Sequence, residues 1–328
     1  MDILYDIKVC TYKALNLLKR RKHLKHVLNQ PSIVIDPQAW TMFDESRFKR
    51  IAEEYKFCYA PLDQVSNDSF HNVVAYIGRL DVKLAKSLPV TCKWLQIASH
   101  GANGFDDISI YKNSSIVVTR IVDVFSKPIA NFCVSSYHLF NSFALRHLFD
   151  KHLKLQDCGD SDNSNVLIFG YGNIGCSIAQ SCQKQGWKVT GVRRHINPDS
   201  EIRIIPPPQA LAELKEYDYV INIMPDNKDS VGFFNKSFFM KMKRTAVFCN
   251  VGRKSAVIDD DLEYAIENGY LRGAILDAAN KLSYKDRRII VTHHQSSISV
   301  SNQQAFNTYY SMQLELFLSG KNLKNRIL

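Results

Sequence analysis

The chain is expected to fold as an α/β protein of two domains, each built on a parallel sheet with covering helices. Three observations carry that expectation. Short apolar runs alternate with helical stretches along most of the 328 residues, the order that parallel strands joined by crossover helices produce. Residues 166–194, VLIFGYGNIGCSIAQSCQKQGWKVTGVRR, read as strand, glycine turn, helix and second strand, the opening of a Rossmann-type doubly wound sheet. The length, with 45% hydrophobic and 23% charged residues, suffices for two globular domains rather than one.

In chain order, a basic helix-like stretch begins near Thr11, with Leu15, Leu18 and Val27 on an apolar side and the run KRRKHLKH at residues 19–26. SIVID (32–36) reads as a strand, residues 45–55 as a helix, and FCYAP and NVVAYIG as strands. A helix at 82–87 leads to the strands KWLQIAS and SIVVTR, the latter ending at Arg120. A long helix follows over 128–152, with Pro128 at its start, where a missing N–H does no harm. The polar run QDCGDSDNSN (156–165) is a surface connection before the glycine-rich strand. Further strands are expected at YVINIM, AVFCNV, GAILDA and RIIVTH, and a last helix at 302–318. No repeat or low-complexity segment interrupts this order.

Each glycine of the turn has its own task. Gly170 permits the tight exit from the strand, Gly172 lets backbone approach a pyrophosphate, and Gly175 lets the new helix pack closely on the sheet. Asn173 and Ile174 then open a helix whose N–H groups and partial positive charge suit phosphate. At the end of the second strand, where an acidic residue would hold the ribose 2′-hydroxyl of NAD, the chain has Arg193, Arg194 and His195. Arginine forks bind phosphate bidentately and a carboxylate would repel it, so NADP(H) is the expected cofactor, with NAD(H) as the alternative. A solvated basic loop is the competing explanation of these arginines.

The formal charge of +10, from 42 basic and 32 acidic residues, fits an anionic substrate or plain solubility. The cluster at 19–26 is read as a solvated helix face, since no nucleic-acid module accompanies it. No apolar run is long enough to span a bilayer, and the first residues lack the order of a signal peptide. The eight cysteines show no CxxC pair and no histidine at metal-ligand spacing, so reduced thiols in a cytoplasmic protein without a metal site are expected.

Several ordered blocks of the chain resemble the D-isomer-specific 2-hydroxyacid dehydrogenases, and among them the glyoxylate/hydroxypyruvate reductase branch. The blocks are WLQIASHGANGFD, IVVTRIVDVFSKPIANFCVSSYHLF, YVINIMPDNKDSVGFFNKSFFMKMKRTAVFCNVGR, LDAAN and IIVTHHQSSIS, spread over about residues 93–299. The resemblance implies a Rossmann-type cofactor domain (121–296) inserted into a flavodoxin-like substrate-binding domain (1–120 and 297–328), and a homodimer formed with help from the helix after Pro128.

The same resemblance implies site residues. Arg253 would hold the carboxylate and carbonyl oxygens of a small 2-oxoacid, and His294 would be the acid/base group that protonates the carbonyl oxygen. Backbone N–H groups around His100, Gly101 and Ala102 would bind the substrate carboxylate. Asp277 would lie near the nicotinamide carboxamide, and Met224 and Pro225 beside the cofactor.

The chain departs from the family pattern at three places. His293 stands where proline is usual, Lys254 where glycine is usual, and no glutamate follows Asp277 to pair with the histidine. Asn280, Asp286 or a group from elsewhere is left to take that place. The implied activity is NADP(H)-dependent reduction of a glyoxylate- or hydroxypyruvate-type 2-oxoacid. The alternative is a catalytically impaired or inactive NAD(P)-binding homologue with a sensing or partner-binding role.

Overall fold

The computed structural model describes residues 30–328 other than 49–53, 66, 100, 103, 123, 148–150, 152–153, 156–157, 160 and 195–199. The basic stretch at 19–26, His100 and His195 therefore lie outside the described residues. The chain divides into two compact units, Met1–Val122 with Gln303–Leu328, and Asp123–Asn302.

The first unit holds a five-stranded sheet in the order β2-β1-β3-β4-β5, every named pair parallel. Its strands are β1 (Ser32–Ile35), β2 (Lys56–Tyr59), β3 (Val73–Gly78), β4 (Trp94–Ile97) and β5 (Val117–Thr119). β1 and β4 are buried along their whole length, as a parallel sheet covered on both faces requires. The C-terminal helix Val300–Leu318 is pinned to this sheet by polar groups: Trp94 Nε1 donates to Thr119 Oγ1 at 2.8 Å, which lies 2.7 Å from Gln96 Oε1, and Gln313 Nε2 reaches the same oxygen at 3.2 Å. Beyond the helix, the last residues run antiparallel along β5, with Arg120 N–H donating to Asn325 O and Ile327 N–H to Val118 O. That tail pairs backbone groups that an open edge would leave for another chain.

The second unit is a seven-stranded parallel sheet in the order β12-β11-β10-β9-β6-β7-β8. It comprises β6 (Asn165–Phe169), β7 (Lys188–Val192), β8 (Arg203–Ile205), β9 (Tyr219–Asn222), β10 (Val247–Asn250), β11 (Gly273–Leu276) and β12 (Ile289–Val291). The order runs outward from β6 in one direction and then returns to β9 on its other side, so the reversal falls between β6 and β9. In such sheets ligands bind outside the carboxyl ends of the strands at that reversal. Alternation along the strands splits the core. Val166, Ile168, Tyr219, Ile221, Val247 and Cys249 face helices α1 (Ser126–Asn141) and α2 (Asn173–Gln183), while Leu167, Phe169, Val220, Phe248 and Leu276 join a second cluster with Phe234, Phe238 and helix α3 (Asp259–Glu267).

Three sequence expectations change in detail. The helix expected over 128–152 is α1 followed by a separate short helix, Phe143–His147, because Ser142 takes an extended conformation (φ −86°, ψ 113°) while its N–H bonds His138 O. Of the helix expected at 45–55, Glu45–Phe48 is a 3₁₀ turn, residues 49–53 lie outside the described residues, and Lys56 starts β2. β8 is an additional strand, three residues long and followed directly by Pro206.

All seven cysteines among the described residues are free thiols. Burial pushes Cys92 and Cys182 up to about 12, and Cys133 also well above its ordinary value. The thiolate is the reactive form. In native protein at pH 8, iodoacetamide should therefore label the half-buried Cys158 and Cys176 and spare Cys92, Cys133 and Cys182; peptide mass spectrometry before and after denaturation measures the contrast.

Candidate active site

Gly170 leaves β6 with φ +100°, and a Cβ there would stand 2.7 Å from the carbonyl oxygen of Ile223. Only glycine fits that backbone and that approach. A Cβ on Gly175 would stand 2.4 Å from Gly170 O, so this glycine is what allows α2 to start against the strand. Gly172 differs from both, since no atom lies within 4 Å of where its Cβ would be. It is the N-cap of α2 and no side chain caps that helix. The first-turn N–H groups thus open onto free space beside bare backbone, which fits a pyrophosphate. Asn173 is exposed at this end and Ile174 is buried in the helix–sheet core.

Two asparagines absent from the sequence expectations tie the neighbouring loops together. Asn222 and Asn250 end β9 and β10, are fully buried, and meet with Asn222 Nδ2 donating to Asn250 Oδ1 at 2.8 Å. Asn222 Oδ1 accepts from Met224 N–H, fixing the loop that continues into Pro225. Asn250 Oδ1 accepts from Gly252 N–H, and its Nδ2 donates to Ala278 O at 2.7 Å and Arg253 O at 3.2 Å. One amide pair therefore sets the backbone on which Met224, Arg253 and Asp277 sit. The signal in the sequence was a polar residue closing each of two apolar strands, YVIN and VFCN.

Arg253 is half-buried, and its Nη1 donates to Gly252 O at 3.0 Å. Among the described residues it forms no ion pair, so its planar fork keeps donors for an anion. Arg193 and Arg194 follow β7 and are exposed. Arg194 is engaged by Asp229 at 2.6 Å, a pair exposed at 67% and 72% of its side chains and therefore weak, ~0–1 kcal/mol.

Asp277, one residue beyond β11, is 2% exposed, and its carboxylate is occupied within the protein. Oδ1 accepts from Thr292 Oγ1 at 2.7 Å, Gln295 N–H at 2.7 Å and Ser296 N–H at 2.9 Å, and Oδ2 accepts from the Ser296 hydroxyl. Its backbone oxygen accepts from His294 N–H at 2.7 Å. Between those anchors His293 and His294 are exposed and left-handed, with φ +55° and +61°. Each such residue costs about 1–2 kcal/mol, while hydrogen bonds to a charged group contribute about 1.5–3 kcal/mol each, so the carboxylate outweighs the strain. Proline, held near φ −65°, cannot occupy position 293 in this turn, which accounts physically for His293.

Neither group considered for the missing glutamate reaches His294. Asn280 Nδ2 donates to Lys254 O and Asp259 Oδ1, and Asp286 is paired with Arg288 Nη2 at 2.6 Å. Among the described residues no carboxylate forms an ion pair with His294. Lys254 is exposed and begins a 3₁₀ turn that Arg253 caps, so a side chain there meets no obstacle. In the first unit, Gly101 and Ala102 are half-buried, their carbonyls accepting from Ser99 Oγ and Phe105 N–H.

Residues 146–299 match the family model described as D-isomer specific 2-hydroxyacid dehydrogenase, NAD binding domain. A D-lactate dehydrogenase of Staphylococcus epidermidis is 27% identical over 202 residues, which span 58% of this chain and 59% of that one. A glyoxylate reductase of Thermococcus kodakarensis is 23% identical over 251 residues, 69% of this chain and 74% of that one. The fold is that of an NADPH-dependent glyoxylate/hydroxypyruvate reductase from Sinorhizobium meliloti solved with NADP and sulfate (TM-score 0.70, 20% identity, 90% and 98% of the chains covered). It is equally that of a glyoxylate reductase from Paecilomyes thermophila (TM-score 0.75, 14% identity, 90% and 98% covered). The glycine turn and the seven-stranded order are those of a dinucleotide-binding fold. Residues 146–299 thus resemble the NAD binding domain of the D-isomer specific 2-hydroxyacid dehydrogenase family.

The glycines should separate binding from stability. Gly170→Ala should lower the melting temperature, at a cost of about 1–3 kcal/mol for strained backbone. Gly172→Val should leave the melting temperature nearly unchanged and weaken nicotinamide dinucleotide binding at least about tenfold. Calorimetric titration beside thermal melts measures both.

Proposed function

We propose that the protein is an NADPH-preferring reductase of small 2-oxoacids of the glyoxylate or hydroxypyruvate type. The observation that carries the reading is the half-buried guanidinium of Arg253, without an ion-pair partner among the described residues, on a backbone that the Asn222–Asn250 pair holds at the carboxyl ends of the strands. Gly170, Gly172, Asn173, Ile174 and Gly175 would hold the pyrophosphate of the cofactor, with Met224 and Pro225 beside it. The nicotinamide, when bound, supplies a hydride to the carbonyl carbon of the substrate. Arg253 binds the oxoacid through its fork, orients the carbonyl and stabilises the negative charge that grows on its oxygen. His294 gives a proton from its ring nitrogen to that oxygen, so the product leaves as the neutral hydroxyl. Backbone N–H groups around Gly101 and Ala102 in the first unit would bind a carboxylate in this reading, and the protein works as a homodimer.

The NADPH preference rests on Arg193 and on Arg194, whose pairing with Asp229 is weak enough for a 2′-phosphate to displace. Glyoxylate reductase and glyoxylate/hydroxypyruvate reductase are the names borne by several relatives, which supports the substrate class.

A second reading, a cofactor-binding protein without catalysis, is favoured by one observation, the absence of a carboxylate ion pair to His294 among the described residues. The two part on a single assay. Purified protein should oxidise NADPH with glyoxylate or hydroxypyruvate, with Arg253→Ala lowering kcat/KM at least ~10²-fold and His294→Ala lowering kcat ~10²–10⁴-fold. Tight NADPH binding without turnover selects the second reading. Arg193→Ser with Arg194→Ser should reverse the preference between NADPH and NADH in direct titrations. Light scattering should give twice the chain mass.

A further inference from the structure

The loops that leave β7 and β9 meet through one ion pair, with Arg194 Nη1 lying 2.6 Å from Asp229 Oδ2. In the order β9-β6-β7 the strand between them is β6. Neighbouring strands stand about 4.8 Å apart, so the two loops start about 10 Å from each other. Arg194 is only two residues past the end of β7, and a contact from there to the β9 loop spans the exit of β6, where Gly170 and Gly172 leave the strand.

The two partners are held unequally. Asp229 sits in a loop closed by its own bonds: Asn227 Oδ1 accepts from Asp229 N–H at 3.0 Å and from Ser230 N–H at 3.1 Å, and the buried Ser230 hydroxyl donates to Pro225 O at 2.7 Å. Asp226 Oδ1 accepts from the Ser255 hydroxyl at 2.6 Å, which ties the same loop to the turn after β10. Arg194 hangs on a long flexible stem with its side chain 67% exposed, so it can swing while the carboxylate stays.

We infer that Asp229 is a specificity-determining residue: it holds Arg194 across the exit of β6 until a 2′-phosphate takes the guanidinium, and then stands as a like charge beside that phosphate. The inference rests on the NADPH reading for what the arginine receives, and on the ion pair and its loop for what the aspartate does. A 2′-phosphate carries close to two negative charges at neutral pH and takes a guanidinium through charge-assisted bonds. To do so it must replace the Asp229 carboxylate. The loop keeps the displaced carboxylate close by, where two anions repel. A 2′-hydroxyl exerts no such pull, so NADH leaves the pair closed. Asp229 therefore acts against the phosphorylated cofactor alone, and it narrows the preference that Arg193 and Arg194 create. A guanidinium that lets the cofactor go also has a partner waiting, which favours release.

Titration calorimetry with adenosine 2′,5′-bisphosphate and adenosine 5′-phosphate isolates the 2′-phosphate from the rest of the cofactor, and NADPH and NADH are titrated beside them. Asp229→Asn keeps the size of the side chain. It should tighten the bisphosphate and NADPH about three- to tenfold and leave adenosine 5′-phosphate and NADH within about twofold. In an Arg194→Ser background it should tighten the bisphosphate by at most about twofold, since the pair is gone and only a screened repulsion remains. Glu267→Gln removes one exposed negative charge at the end of α3 and should change none of the four affinities more than about twofold. The pair is too exposed to matter for folding, so all the variants should melt with the native protein.

Unchanged or weaker bisphosphate binding in Asp229→Asn overturns the inference, as does an equal gain with Glu267→Gln or an undiminished gain in the Arg194→Ser background. A tenfold loss of NADH affinity in Asp229→Asn overturns it too, because the carboxylate would then be a ribose acceptor. If the native protein binds NADH more tightly than NADPH while Asp229→Asn still gains on the bisphosphate, the NADPH reading falls and the role of Asp229 stands.

Discussion

Two side-chain amides, those of Asn222 and Asn250, face each other across the ends of neighbouring strands, and the loops that matter hang from that contact. A parallel sheet sends all its strands out at one edge, so the exits of β6, β9, β10 and β11 are neighbours by topology. Topology brings them close only to within a loop's freedom. The amide pair removes that freedom, because each group is buried and must find a partner, and the partners available are the backbone groups of the exiting loops. Desolvation makes the arrangement stiff. An unmade bond in that interior costs more than a bond made in water returns.

Charge is distributed around this edge in two regimes. Arg253 and Asp277 are half-buried and buried, and they differ in what they hold: both oxygens of the aspartate accept from its own loop, the arginine is left with donors to spare. Arg193 and Arg194 stand in water, where ion pairs are weak and exchangeable. The interior carboxylate therefore shapes the protein, and the arginines keep their capacity for something that arrives.

The α/β class was legible in the sequence because alternation and glycine spacing are local signals. SIVI, VVAYIG, VLIF, YVIN and VFCN are runs that only a covered parallel sheet buries so completely. β8 escaped because RII is three residues ahead of three prolines and reads as a loop; it becomes a strand by pairing with β7. The break after Asn141 escaped because Ser142 differs from its helical neighbours only in backbone conformation. At the site, the glycine turn declared itself through spacing. The Asn222–Asn250 pair and the bonds of Asp277 did not, since each joins residues 28 or 15–19 positions apart and neither partner is unusual alone. The two left-handed histidines carry no turn residue that a sequence would flag.

The first unit is assembled from two stretches of chain, Met1–Val122 and Gln303–Leu328, with the whole second unit between them. Its polar pins from Gln313 to Gln96, and its edge bonds from Asn325 and Ile327 to the end of β5, join residues about two hundred positions apart. Closing a flexible loop of that length is slow, whereas a loop already folded into a compact body has little entropy left to lose. The second unit needs only its own sequence to complete its sheet. Connectivity therefore lets the uninterrupted unit complete its sheet from one stretch of chain, whereas the last helix and tail of the first unit must return across the whole second unit to reach β4 and β5.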